Sequence, residues 1–256
     1  MRDDILDLLI NPYSGNKLKK ESGFLVDPVT SERFPVKNGI PVLLREEEVK
    51  GLNRLYQKRY DWLAYFYDFT ISIGSLFGAK EAFKSMAEII EVKSSDRVLE
   101  TSIGTGLEIK NLHDNGKKAN YYGLDISYGM LKKCRRNSKK WNIDIDLVQG
   151  NAETLPFKDE AFDMVFHIGG INFFNNKAKA ITEMIRVAKP GANIYIGDET
   201  AKQIEKQPKI VSYFYQKPDP EIYDPPVEHI PGEMLDLTTH TLWNEMIYLV
   251  SFRKPE

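Results

Sequence analysis

Cysteine is almost missing from this chain: Cys134 is the only one in 256 residues. That excludes a disulfide framework and a cysteine-rich zinc site. No apolar run approaches the ~20 residues that a transmembrane helix needs. The formal net charge is −2, so no global field draws the protein to nucleic acid or to an anionic membrane. The first residues, Met1-Arg2-Asp3-Asp4, lack the basic-then-apolar layout of a signal peptide, so a cytoplasmic protein is expected. Two nucleotide-binding signatures are missing as well. Counted from Gly104, a dinucleotide fingerprint requires glycine at 109, where Ile109 stands. No Gly-Lys-Ser/Thr follows that turn, which rules out a phosphate-cradling P-loop.

What is present centres on residues 97–107. Val98 and Leu99 read as a short apolar strand ending in the acid Glu100, followed by a Gly104-Thr105-Gly106 turn. Leu107, Ile109 and Leu112 then fall at helical spacing. Glycines allow positive φ and a close backbone approach by a ligand. A helix starting there aims free N–H groups and its positive dipole end into the crevice. A second strand, 121–125, closes on Asp125, nineteen residues after Gly106. A carboxylate so placed can accept hydrogen bonds from both hydroxyls of a ribose; alone it reads as a turn or N-cap acid, and the glycine turn upstream favours the ribose.

Residues 98–106 resemble the first motif of class I S-adenosylmethionine (SAM)-dependent methyltransferases, with Ser102 where a glycine is usual. The segment Gly123-Leu124-Asp125-Ile126-Ser127, with Met130, is similar to the ribose-binding motif. Gly150 to Phe157 resembles the segment that brackets the adenine, Phe162 to Phe166 the fourth strand, and Arg186 to Ala192 the turn before the fifth. The pattern is nearest to ubiquinone/menaquinone-type methyltransferases. It implies SAM as cofactor, held by Tyr67, Glu100, Thr101, Ser102, Gly104, Gly106, Asp125, Ile126, Met130, Asn151, Ala152, Glu153, His167 and Ile168. No metal is implied. Strands alternate with helices from 97 to 197, which predicts the parallel part of an α/β doubly wound, Rossmann-like sheet of seven strands in all. Leu237–Trp243 and Met246–Phe252 predict a C-terminal antiparallel hairpin.

Three units are expected: 1–45, 46–95 and 96–256. The first is a small α+β domain resembling the zinc-ribbon-like tRNA-methyltransferase activators, with Asn11, Ser14, Asp27 and Thr30 at the zinc-ligand positions. Zinc is therefore not expected, and apolar packing alone is expected to hold the unit. Within it, Asn38-Gly39 between Val36 and Ile40 marks a tight hairpin. The second unit reads as helical and aromatic, with Tyr67-Asp68-Phe69 resembling an element that lies over the cofactor; core packing accounts for many of its rings. Six of the thirteen prolines lie between Pro208 and Pro231, interleaved with tyrosines, as in an irregular lid.

Methyl transfer from a sulfonium needs an aligned nucleophile and exclusion of water. His167 and Asn172 are the candidate catalytic groups, with Asp198 nearby; His167 reads equally as a packed strand residue. A small, partly apolar methyl acceptor is expected, bounded by the aromatic run 56–69 and the proline-rich run 208–231. Nucleic acid is not an expected partner, since the Lys/Arg stripe from Lys132 to Lys140 reads as a solvated face. Two alternatives stand beside this reading: an RNA or protein methyltransferase using the N-terminal unit, and a non-catalytic SAM-binding regulator. Oligomeric state is not legible.

Overall fold

A computed structural model of the protein describes residues 3–63, 80–206 and 223–256. The chain begins with a turn of helix, α1 (Asp3–Leu6). A four-stranded antiparallel sheet follows: β1 (Lys19–Glu21), β2 (Phe24–Val26), β3 (Arg33–Lys37) and β4 (Ile40–Pro41), in that spatial order. The β3–β4 turn is the expected Asn38-Gly39, with φ of 50° and 72°. Both residues are left-handed, as a two-residue hairpin matched to strand twist requires.

Apolar packing is only part of what holds this unit. Asp27 is fully buried, and its carboxylate accepts from Asn11 Nδ2 at 2.8 Å and Ser14 Oγ at 2.6 Å. It also accepts from the backbone N–H groups of Val29 and Thr30, at 2.9 and 3.1 Å. Burial alone would raise its pKa, but these four donors hold the group well below the usual carboxylate range. Asn11, Ser14, Asp27 and Thr30, expected as vacant metal positions, thus close on one another through hydrogen bonds. Among the described residues, no cluster of three His, Cys, Asp or Glu side chains is arranged to hold a metal.

The unit docks directly on the remainder of the chain. Among the described residues, α2 (Gly51–Leu63) and α3 (Lys80–Ile89) come next. The second sheet then alternates with helices: β5 (Arg97–Thr101), α4 (Leu107–Asp114), β6 (Asn120–Asp125), α5 (Tyr128–Trp141), β7 (Ile145–Gln149) and β8 (Phe162–Ile168). The chain closes with α6 (Lys177–Val187), β9 (Ala188–Glu199), α7 (Ala201–Lys206), β10 (Leu235–Leu242) and β11 (Ile247–Arg253). Strand order is β10-β11-β9-β8-β5-β6-β7. Strands β5 to β9 pair in parallel, and β11 runs antiparallel between β9 and β10.

Alternation of side chains across the strands builds two cores. Val98, Tyr121, Met164 and Phe166 enter the layer beneath α3, α4 and α5. Leu99, Tyr122 and Val165 enter the opposite layer with α6 residues and with Ile5, Leu8, Leu25, Phe34 and Leu43 of the N-terminal unit. That unit therefore shares a core with the large sheet. Leu43 N–H donates to Gln149 O at 2.8 Å, which fixes the unit on edge strand β7. From β5 the chain winds outward to β6 and β7, then returns to the other side of β5 for β8. Ligands of open α/β sheets sit at the carboxyl end of such a reversal. The Ser102–Gly106 turn occupies that position.

Candidate active site at the reversal of the sheet

The turn after β5 is tied down by its neighbour strand. Ser102 N–H and Ile103 N–H both donate to Leu124 O, at 2.7 and 2.9 Å. Gly123 makes this approach possible, because a Cβ there would lie 2.2 Å from Ile103 Cδ1. Asp125 closes the turn: its Oδ2 accepts from Gly104 N–H at 2.8 Å and its Oδ1 from Ser127 N–H at 2.8 Å. Each oxygen keeps a second lone pair for a ligand. Burial pushes Asp125 up to about 6, against the lowering effect of those N–H groups.

Ser102 holds φ of 83° at the position where glycine is usual. A side chain in that region is strained, by roughly 1–3 kcal/mol. Ser102→Gly should relieve the strain but add unfolded-chain entropy, for a net gain of about 1 kcal/mol or less. Chemical denaturation would measure it; a loss of stability would show that the hydroxyl holds the turn.

A cavity opens above this turn. Its floor is Ser102, Gly104, Thr105, Asp125, Ile126 and Met130, with Glu108 on the first turn of α4. On the β8 side stand Ile168, Gly169 and Gly170, and beyond them Phe173, Phe174, Asp198, Glu199 and Ile247. Asn53, Tyr56 and Tyr60 of α2 and Met86 of α3 complete the wall.

Helix α2 is held across the mouth by polar contacts distant in sequence. Asn53 Nδ2 donates to Glu153 Oε1 at 2.8 Å, and Gln57 Nε2 to Ile126 O at 3.3 Å. Asp61 Oδ1 accepts from Ser127 Oγ at 2.6 Å and from Gly129 N–H at 2.7 Å. Ser127 is itself the N-cap of α5, accepting from Met130 N–H. Tyr56 stacks on Phe173 with ring centroids 4.3 Å apart. None of these α2 contacts is signalled locally in the sequence.

The structure divides the expected site residues. Ser102, Gly104, Asp125, Ile126, Met130 and Ile168 meet on the cavity wall. Gly106 lies beneath it as the left-handed N-cap of α4, φ 84°. Glu100 is fully buried under the turn with neither carboxylate oxygen partnered among the described residues, and burial pushes it well above the ordinary range. Asn151 turns inward to accept from Glu153 N–H, Ala152 is core, and Glu153 accepts from Asn53 and Asn176. Tyr67 lies outside the described residues, as do Asp68, Phe69 and the proline-rich segment up to 222.

The two expected catalytic groups stand behind the wall. His167 is fully buried, with Nδ1–H donating to Thr101 O at 2.5 Å, Thr101 Oγ1 at 3.3 Å, and Phe174 edge-on. Burial lowers its pKa to about 4, so it is neutral and packed, not a base facing a substrate. Asn172 accepts from Lys177 Nζ at 3.2 Å and donates to Glu199 O at 3.4 Å. Asp198 is the acid that does reach the cavity. Its Oδ2 accepts from Gly170 and Asn172 N–H, and burial pushes it up to about 6.

The charge of the wall decides what fits. Glu108, Asp125, Asp198 and Glu199 line it, and no lysine, arginine or histidine does so among the described residues. An anionic dinucleotide is disfavoured there, whereas a cation is stabilised. Gly104 offers the second test, since nothing lies within 4 Å of a Cβ built there, and that Cβ would project at φ 53° from the cavity floor. A cationic nucleoside carrying a ribose fits these groups.

Comparison with known proteins agrees. Residues 99–196 match the model of a family described as a methyltransferase domain. Over these residues the chain resembles a methyltransferase domain. The chain is 32% identical over 139 residues to the demethylmenaquinone methyltransferase of Renibacterium salmoninarum, covering 54% of this chain and 56% of that one. It is 35% identical over 106 residues to phthiotriol/phenolphthiotriol dimycocerosates methyltransferase 1 of Mycobacterium ulcerans, covering 41% and 38%. The chain thus spans little more than half of the first relative and less of the second. A solved SAM-dependent methyltransferase from Aquifex aeolicus shares the fold, with a TM-score of 0.51 at 18% identity over 67% of this chain and 88% of that one. The glycine turn, Glu108 and Asp125 described above lie within the matched residues. Among the described residues, no helix is long and apolar enough to cross a membrane.

Proposed function

We propose that the protein transfers the methyl group of SAM to a small, largely apolar acceptor bearing a hydroxyl, of the quinol or lipid-alcohol kind that its relatives' names imply. The observation that carries this is the two-ended cavity. Asp125, Gly104 and Met130 form one end, and Tyr56, Tyr60, Phe173, Phe174 and Ile247 form the other around Asp198 and Glu199. When bound, SAM supplies an electrophilic methyl group. Asp125 orients the ribose, and the Ser102–Thr105 backbone receives the rest of the cofactor. The rings of α2 and of 173–174 exclude water and give the acceptor a dry wall. Asp198, raised by burial, is suited to accept a proton from an acceptor hydroxyl. His167 holds the end of β5 against β8 through Thr101, a positioning role.

The N-terminal sheet supports a zinc-ribbon-like reading without zinc, in which hydrogen bonds at Asp27 take the place of a metal. Docked on β7 and running directly into α2, it serves to position the helix that covers the site. An assay of radiolabelled methyl transfer from SAM to reduced short-chain quinones and to lipid alcohols tests the proposal. Transfer to these, reduced by Tyr60→Ala more than SAM binding is, would support it. Transfer only to RNA or protein would replace the acceptor, and binding of SAM without turnover on any of them would favour a regulatory protein.

A further inference from the structure

Lys177 stands where a helix does not favour it. It is the first residue of α6, directly after the N-cap Asn176, and no acid occupies that first turn. A cation there opposes the helix dipole. It is also half-buried, and burial lowers its pKa. A lysine that breaks the local rule and is partly desolvated has to be compensated by its surroundings.

Those surroundings lead to the cavity. Lys177 Nζ donates to Asn172 Oδ1 at 3.2 Å, and Asn172 Nδ2 donates to Glu199 O at 3.4 Å. The side chain of Asn172 is thereby held at both ends, while its backbone N–H donates to Asp198 Oδ2 at 3.2 Å. Gly170 N–H reaches the same oxygen at 3.0 Å, and Glu199 N–H reaches Oδ1 at 2.8 Å. Resting on the reading of Asp198 as the proton acceptor, we propose that Lys177 is a positioning residue for it: through Asn172 it holds a donor that orients the carboxylate, and it sets a positive charge behind the cavity wall. Asn172, expected among the catalytic groups, is the link between the two.

The neighbouring groups give the charge its effect. Glu199 lies beside Asp198 on β9, Tyr248 opposite it on β11, and Tyr223, Asp224 and Glu228 approach from the segment before β10. The loop after β8 presents Gly170 and Asn172, and α2 presents Tyr56 beside Tyr223. Burial raises all three phenols, so none carries charge near neutrality. The acids favour the protonated form of Asp198, as burial does, and Lys177 works against both. Removing its charge therefore leaves Asp198 holding its proton more tightly.

The test reads the titration of Asp198 directly, with no methyl acceptor needed. The full chain is isotope-labelled at its aspartate carboxyl carbons for NMR, and the Asp198 signal is identified by its loss in Asp198→Asn. In Lys177→Met the midpoint of that signal is expected about one pH unit above the wild type, a proton held about tenfold more tightly. Lys177→Arg, which keeps the charge, should leave the midpoint near the wild-type value. An unmoved midpoint in Lys177→Met, or equal rises in both variants, would overturn the assignment. A lower Tm for Lys177→Met with an unmoved midpoint would mark Lys177 as an anchor of the 223–229 segment instead. Methyl transfer from SAM to reduced short-chain quinones separates this inference from the reading beneath it. Undiminished transfer by Asp198→Asn would bring down Asp198 as the proton acceptor, whatever the midpoints show.

Discussion

Asp125→Ala is expected to weaken SAM binding by about 2–4 kcal/mol, the loss of two hydrogen bonds to a charged acceptor. The carboxylate holds the Gly104 and Ser127 N–H groups with one lone pair of each oxygen and leaves the others toward the cavity. Removing it costs the ribose contacts and also frees the turn, so Asp125→Asn is the sharper variant. Asparagine keeps one carbonyl oxygen for a backbone donor but cannot accept from both ribose hydroxyls. Affinity should fall for both variants, while Tm falls mainly for alanine. Calorimetry showing unchanged SAM affinity for Asp125→Asn would defeat the ribose assignment.

The two glycines of the turn should separate binding from stability. At Gly104 a Cβ meets no atom within 4 Å and points off the cavity floor. Gly104→Val should therefore remain folded, at a cost near the 1–2 kcal/mol of a left-handed side chain, and lose SAM binding. At Gly106 a Cβ would lie 2.8 Å from Cys134 Sγ, at φ 84°. Gly106→Ala should destabilise the fold by about 2–4 kcal/mol, from backbone strain together with overpacking against α5. Urea denaturation and calorimetry on both variants read the difference. A Gly104→Val protein that still binds SAM tightly would mean that the ligand does not approach this backbone.

The sheet was largely legible because its strands are short apolar runs ending at an acid or glycine, as at Val98-Leu99-Glu100 and Tyr121 to Asp125. Alternate residues of these runs supply both cores, which a parallel sheet covered on two faces demands. Asn38-Gly39 marked its hairpin by the same local chemistry. The insertion of β11 between β9 and β10 was not legible, since a hairpin's sequence does not say which strand joins the sheet. At the site, the wall from Ser102 to Met130 followed from local turn chemistry. The lid did not, because Asn53, Gln57 and Asp61 reach partners 66 to 100 residues away. His167 looked chemical in a strand-terminal position and proved to be packed, because its neutral imidazole satisfies Thr101 O. Glu108 stands on the first turn of its helix, and that it borders the cavity shows only in the fold. At Asp27, four donors converge through two loops, and no linear pattern announces that.

The acidic, glycine-floored crevice is the centre of this account, and it is tested most directly by calorimetric titration of the wild-type protein with SAM and with NAD. The account predicts one SAM bound per chain through the crevice, weakened by Asp125→Asn, and no heat from NAD. Binding of NAD in preference to SAM, or SAM affinity indifferent to Asp125, would contradict it.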